Sequence, residues 1–226
     1  MIVATFPQAP NLAAEEPPRD CPRCPRLVAF REALRIEHPH WWNSPVPAWG
    51  DPEAWLAVVG LAPGKHGANR TGRPFTGDYA GELLFRTFLK FGLAEGQFDA
   101  RPDDGLSPRG VAIINAVKCL PPENKPIPAE IANCRPFLQA QADVLPARVF
   151  VALGRIAHDS AVRVLGGKLS AAKFGHLAEH RLPGGVLIDS YHCSRYNQNT
   201  GRLTAEMFEA VFARALEVRG ELGLAR

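Results

Sequence analysis

Apolar residues fall into two alternating rhythms along the 226-residue chain. Short, mainly apolar runs at Trp55–Gly60, Gly110–Val117, Arg148–Leu153 and Val186–Tyr191 have the length of strands buried on both faces. Between and after them, apolar positions recur at helical spacing over Ala80–Phe91, from about Pro128, over Ile156–Leu165, and from Leu203 to about Val218. In the last of these, Leu203, Met207, Phe208, Val211, Phe212 and Leu216 form one stripe, which reads as core. An earlier helix is predicted from Pro22 to about Glu37, with Leu27, Val28, Ala33 and Leu34 at helical spacing and prolines near its start. Residues 38–53, with Trp41, Trp42 and Trp49 among prolines, read as loop. Residues 1–20, rich in Pro, Ala and Glu, read as an irregular arm ahead of a single domain over 21–226.

Strands alternating with helices predict an α/β fold with a mostly parallel sheet covered on both faces. Such sheets bind ligands outside the carboxyl ends of their strands, which directs attention to loops 60–79, 115–127 and 191–202. These loops are rich in Gly, Asn, His and Arg.

Composition narrows the picture without choosing a function. Hydrophobic residues make up 46% and charged residues 22%, which excludes disorder, collagen and coiled coil as the main theme. No apolar run approaches the roughly 18 residues of a membrane span, and Met1–Phe6 lacks a basic flank, so a soluble, intracellular protein is expected. A net charge of +3 with a pI of about 8.7 neither supports nor excludes a nucleic-acid partner. Five cysteines, an odd number, argue against a disulfide framework and leave metal binding or free thiols.

Three clusters carry candidate chemistry. The loop Gly60-Leu61-Ala62-Pro63-Gly64-Lys65-His66-Gly67, continuing through Thr71-Gly72-Arg73-Pro74-Phe75-Thr76-Gly77-Asp78, has the glycine density that lets backbone approach a ligand. It misses the nucleotide-binding P-loop by one residue of spacing and lacks the metal-binding hydroxyl, which excludes triphosphate hydrolysis. Cys21-x2-Cys24, followed by Cys119 and Cys134, supplies four thiolates and leaves zinc and iron–sulfur both open. His192 ends an apolar strand and precedes ten residues without an aliphatic side chain, so it is not a core histidine. Asn115 sits inside the apolar run Val111–Val117, where a buried amide is either structural or a reader of polar ligand edges. Asp78 precedes a helix, and an N-cap is one reading of it.

Gly60-Leu61-Ala62-Pro63-Gly64, the stretch 71–78, Asn115 through Asn124, His192-x-Ser194 and Thr200-Gly201-Arg202-Leu203 together resemble the uracil-DNA glycosylases. The four-cysteine pattern resembles the iron–sulfur branches, and the Gly-Leu-Ala-Pro and Asn-Gln-Asn-Thr-Gly-Arg-Leu-Thr segments look most like family 5, the thermophile-associated type B enzymes. Cys193 departs from the superfamily, which usually has proline there. The resemblance covers roughly 20–216 and implies a three-layer α/β/α sandwich around a four-stranded parallel sheet. It also implies a structural [4Fe–4S] cluster on Cys21, Cys24, Cys119 and Cys134, and excision of uracil, with hypoxanthine and xanthine as further substrates, from DNA. The narrower uracil-only branch, a non-catalytic Fe–S or zinc module that binds nucleic acid, and a nucleotide-binding enzyme using the Gly-rich loop remain the alternatives. Phe75 would stack on the flipped base, Asn115 would read its edge, and Gly60, Ala62 and Gly64 would line the pocket. His192 would stabilise the leaving base, and Asp78 would position water or stabilise the sugar cation, since Ala62 stands where the superfamily has its water-activating carboxylate. Tyr196 would wedge the duplex, while Arg70, Arg73, Arg195, Arg202, Lys118 and Ser194 would contact phosphates. A monomer acting on nucleoid DNA in a prokaryotic cytoplasm is expected, with no membrane partner.

Overall fold

The computed structural model describes residues 10–13 and 15–224. Along the chain these form α1 (Pro10–Ala13), α2 (Pro25–Glu37), β1 (Trp49–Gly50), β2 (Leu56–Gly60), α3 (Ala68–Thr71), α4 (Tyr79–Lys90), β3 (Ala94–Glu95), β4 (Ser107–Pro108) and β5 (Val111–Asn115). There follow α5 (Pro128–Val144), β6 (Val149–Leu153), α6 (Arg155–Val164), β7 (Glu179–Leu182), β8 (Gly185–Ser190), α7 (Arg195–Asn199) and α8 (Ala205–Glu221).

One sheet has the order β1-β5-β2-β6-β8-β7. Its four central strands are the apolar runs, and they pair in parallel. The edges β1 and β7 pair antiparallel to β5 and β8. The expected four-stranded parallel sheet is therefore the middle of a six-stranded mixed one. The edges escape a pattern reading because β1 has two residues and β7 reads Glu-His-Arg-Leu, without an apolar run.

Side-chain alternation divides the interior into two layers. Leu56, Val58, Ile113, Val151 and Ile188 face α4 and α8, whose Phe85, Phe88, Phe208 and Phe212 fill that side. Ala57, Val59, Ile114, Ala152 and Leu187 face α5 and α6, with Leu138, Ala142, Ala157 and Ala161. The small residues of the second layer let those helices lie close to the sheet. No helix among the described residues is long and apolar enough to cross a membrane.

The N-terminal arm is more structured than expected, although residues 1–9 lie outside the described ones. Residues Pro10–Ala13 make a helical turn, and Leu12 is buried in the second layer. Glu16 accepts from the Ala48 amide and from Gln141 Nε2 at 2.6 Å, so a polar anchor ties the arm to α5.

Candidate active site

The parallel register aligns the strand ends, placing Gly60 beside Asn115 and Leu153 beside Ser190. Above them opens a cleft of about 560 Å³ whose walls include Ala62, Gly64, Phe75, Asp78, Asn115 and His192. All seven of the residues expected at the base or the reacting bond come to this one place, Gly60 beneath Asn115 and Phe75, and the other six on the walls.

Asn115 is 3% exposed, and its Oδ1 has no hydrogen-bond partner. A buried amide oxygen left unpaired is costly, and this one belongs to a residue of the cleft wall. Gly60 makes room for it, because a Cβ there would lie 2.3 Å from Asn115 Oδ1 and 3.1 Å from Phe75 Cε2.

Phe75 adopts a left-handed backbone with φ of 54°. It occupies the third position of a turn closed by the Thr76 amide donating to Arg73 O at 3.3 Å, with Pro74 at the second position. Glycine or asparagine normally fills that third position. A bulky residue there costs on the order of 1–3 kcal/mol and persists only where the surroundings hold it.

Asp78 has two jobs, one per oxygen. Oδ1 accepts from the Gly81 amide at 3.1 Å and caps α4. Oδ2 lies over the glycine loop, where a Cβ on Gly67 would fall 2.3 Å from it and one on Gly64 3.3 Å. Burial raises the pKa of this carboxyl, and the amides of Gly81 and Ala80 partly offset the rise. The cap reading and the chemical reading of Asp78 are thus compatible.

His192 faces Phe75 with ring centroids 6.2 Å apart and planes 28° apart. Loss of solvent around the ring lowers its pKa to about 4, so the neutral imidazole prevails at pH 7. Its loop is braced from within, Asn197 Nδ2 donating to His192 O at 2.8 Å and Gln198 Nε2 to Cys193 O at 2.7 Å. Cys193 itself is buried, and burial pushes its thiol upward.

The expected phosphate donors divide in two. Arg195 is exposed and lies over the Tyr79 ring, Tyr196 is 71% exposed, and Arg202 lies over the Tyr191 ring. Arg70 is exposed, with its Nε donating to His66 O, and Ser194 caps α7 by accepting from the Asn197 amide. Arg73 and Lys118, however, are 2% and 1% exposed and unavailable to DNA. Arg73 forks onto Asp104 at 2.8 and 2.7 Å, and Lys118 Nζ donates to Gln141 at 2.6 Å and pairs with Glu16. Each has a partner 23 or more residues away that local sequence does not reveal.

One further exposed arginine, not singled out in the sequence, borders the site. Arg155 opens α6 directly after Gly154, is exposed, and lies over the Phe174 ring. With Tyr191 and Arg202 it borders a second cleft of about 380 Å³ that shares His192 with the first. A glycine–arginine pair at a strand end was the available signal. Behind this region His158 Nδ1 and His180 Nε2 both meet the buried Asp189 carboxylate, at 2.7 and 3.1 Å, and brace the end of β8.

Cys21, Cys24, Cys119 and Cys134 line one small cavity between α2, the segment after β5, and α5. Burial raises Cys119 to about 12 and Cys134 to about 11, with neighbouring sulfurs adding to the rise. The Lys118 amide donates to Cys134 Sγ and Asn133 Nδ2 to Cys24 Sγ, contacts suited to thiolate ligands. Among the described residues no three cysteine sulfurs lie within 4.8 Å of one another. Tetrahedral zinc, with Zn–S bonds of about 2.3 Å, would hold its sulfurs about 3.8 Å apart.

The family model of the uracil DNA glycosylase superfamily matches residues 47–216. A type-5 uracil-DNA glycosylase of Thermus thermophilus is 46% identical, the match covering 88% of this chain and 94% of the relative. One of Pyrobaculum aerophilum is 42% identical over 87% and 88%, and one of Mycobacterium bovis 39% identical over 88% and 78%.

Proposed function

This chain belongs to the uracil DNA glycosylase superfamily, and we propose from that membership that it excises uracil during DNA base excision repair, hydrolysing the N-glycosidic bond and leaving an abasic site. The unpartnered amide oxygen of Asn115, on a cleft wall that also carries an aromatic face and a neutral imidazole, is the observation that supports it most.

A base reaches such a cleft only after leaving the helical stack. Phe75 then stacks on it, and the Asn115 amide reads its hydrogen-bonding edge. As the glycosidic bond stretches, negative charge builds on the base and positive charge on the sugar. His192, neutral and therefore still carrying one N–H, donates to the base oxygen where charge accumulates. Asp78 Oδ2 positions water or faces the sugar cation while Oδ1 keeps the helix capped. Ala62 brings no carboxylate, so Asp78 is the acidic group of this site. Tyr196 fills the gap left by the base, and Arg70, Arg155, Ser194, Arg195 and Arg202 hold the backbone.

The cleft of about 560 Å³ has room for a purine, which extends the proposed substrates to hypoxanthine and xanthine. Cys21, Cys24, Cys119 and Cys134 would hold a [4Fe–4S] cluster, which would tie the start of α2 to the segment after β5 and to α5 and supply no step of the hydrolysis. Residues 21–226 then act as one domain, as a monomer, on nucleoid DNA in a prokaryotic cytoplasm.

Single-turnover assays on duplexes carrying one uracil, hypoxanthine or xanthine, read as alkali-labile strand breaks, test the proposal. Cleavage at uracil is expected, and intact uracil duplexes would overturn the assignment. Cleavage at uracil alone would remove the purines.

A further inference from the structure

We infer that Asp104 is a positioning residue for base recognition, acting through Arg73 on the backbone of Phe75. This rests on the proposed stacking role of Phe75. Asp104 does not touch the cleft, and its side chain is fully buried. Its carboxylate accepts both terminal nitrogens of Arg73 and the amides of Asp99 and Leu106. The remaining guanidinium nitrogen, Arg73 Nε, donates to Thr76 Oγ1 at 2.6 Å. Arg73 and Thr76 are the two ends of the turn that holds Phe75 at positive φ.

The Arg73 side chain therefore staples its own turn, and Asp104 sets where the staple points. Trp49, Phe85 and Phe98 surround the guanidinium at 5.4 to 5.9 Å, so it has no water to turn to. Thr76 Oγ1 in turn donates to Pro74 O at 3.2 Å, which closes the polar circuit inside the turn. A residue with the conformational cost of Phe75 stays in place only under such constraint. The loop 96–106, absent from every expectation about the site, thereby holds the aromatic platform on which the base lies.

A double-mutant cycle tests this. Phe75→Ala, Asp104→Asn and the double variant are compared by inhibition with free uracil and by single-turnover rate on the folded enzyme, with melting followed alongside. Asp104→Asn is expected to weaken inhibition by free uracil about tenfold in the wild-type background and by less than about twofold once Phe75 is Ala. Equal effects in both backgrounds, or a lower melting temperature with unchanged inhibition, would make Asp104 merely structural and overturn the inference. If Asp104→Asn does not fold, Thr76→Val removes the atom that the staple grips and takes its place in the same cycle. A Phe75→Ala enzyme of full affinity would overturn the stacking role as well, and that single variant tells the two failures apart.

Discussion

The rings of Phe75 and His192 face each other across the cleft at 6.2 Å between centroids, only 28° from parallel. One comes from the connection between β2 and α4 and the other from the segment after β8, so two separate connections meet at one cleft. Under the proposed roles, a base lying on Phe75 would come within reach of the imidazole, and the two residues would divide binding from chemistry.

His192→Ala is expected to slow single-turnover cleavage by about 10²–10³ while leaving affinity for uracil-containing duplex nearly unchanged. The interaction it removes strengthens only as charge develops in the transition state. Equal losses in rate and affinity would show that His192 binds the ground state instead.

The acid limb of the pH profile carries the next prediction. The His192 pKa is about 4 in the native protein, against about 6.5 in an unfolded chain. Between these values the unfolded state holds more protons, so stability falls as pH drops from about 6.5 toward 4 and gains nothing from His192 above that window. The cleavage rate should show no inflection near 6.5. Burial also raises Asp78, so the histidine's share is assigned by comparison with His192→Gln. An inflection near 6.5 that disappears in this variant would make the imidazolium the acting form.

Asp78→Asn separates the two oxygens of one carboxylate. Asparagine caps helices as well as aspartate, so α4 should melt within about 0.5 kcal/mol of wild type. The group over Gly64 and Gly67 becomes an uncharged amide. Cleavage should then fall on the order of 10²-fold with unchanged duplex affinity. A full-rate variant would leave Asp78 as a cap alone and put the chemistry on His192, Asn115 and backbone dipoles.

The parts of this fold that could be read in advance are those whose signal is local. Short, mainly apolar runs announced the four central strands, and density of Gly, Asn and His at their ends announced the cleft. Arg73 was misjudged because Gly72-Arg73-Pro74 has the look of an exposed turn, while the carboxylate that buries it lies 31 residues on. Lys118 was misjudged likewise, its cover coming from α5 and from an arm that looked irregular. Edge strands escaped because an edge needs few residues and no continuous apolar face. The strain at Phe75 is invisible in sequence, since phenylalanine carries no preference for that backbone region.

Cysteine substitution tests the cluster apart from activity. The purified protein should carry about four irons and as many acid-labile sulfides per chain. Cys24→Ser or Cys119→Ser should lower both, and chelation should raise hydrogen exchange in α2 and the first turns of α5 before it does so in the central strands. A colourless protein holding one zinc would keep the four ligands and remove the cluster.

Salt dependence separates the arginines proposed to meet DNA from the one that is buried. Log affinity for duplex should fall linearly with log salt, because bound phosphates release their counterions. Arg155, Arg195 and Arg202 are exposed, and among the described residues none has a carboxylate partner. Each changed to alanine should reduce the slope by about one unit if it holds a phosphate. Arg73→Ala should leave the slope unchanged. It strands the Asp104 carboxylate at zero side-chain exposure, and losing one partner of such a pair costs about 3–5 kcal/mol of stability. The apolar pair Arg73→Met with Asp104→Leu should recover most of that stability, since neither charge is then left alone in the interior. A slope that falls with Arg73→Ala but not with Arg195→Ala would reverse the assignment of which guanidinium meets the backbone.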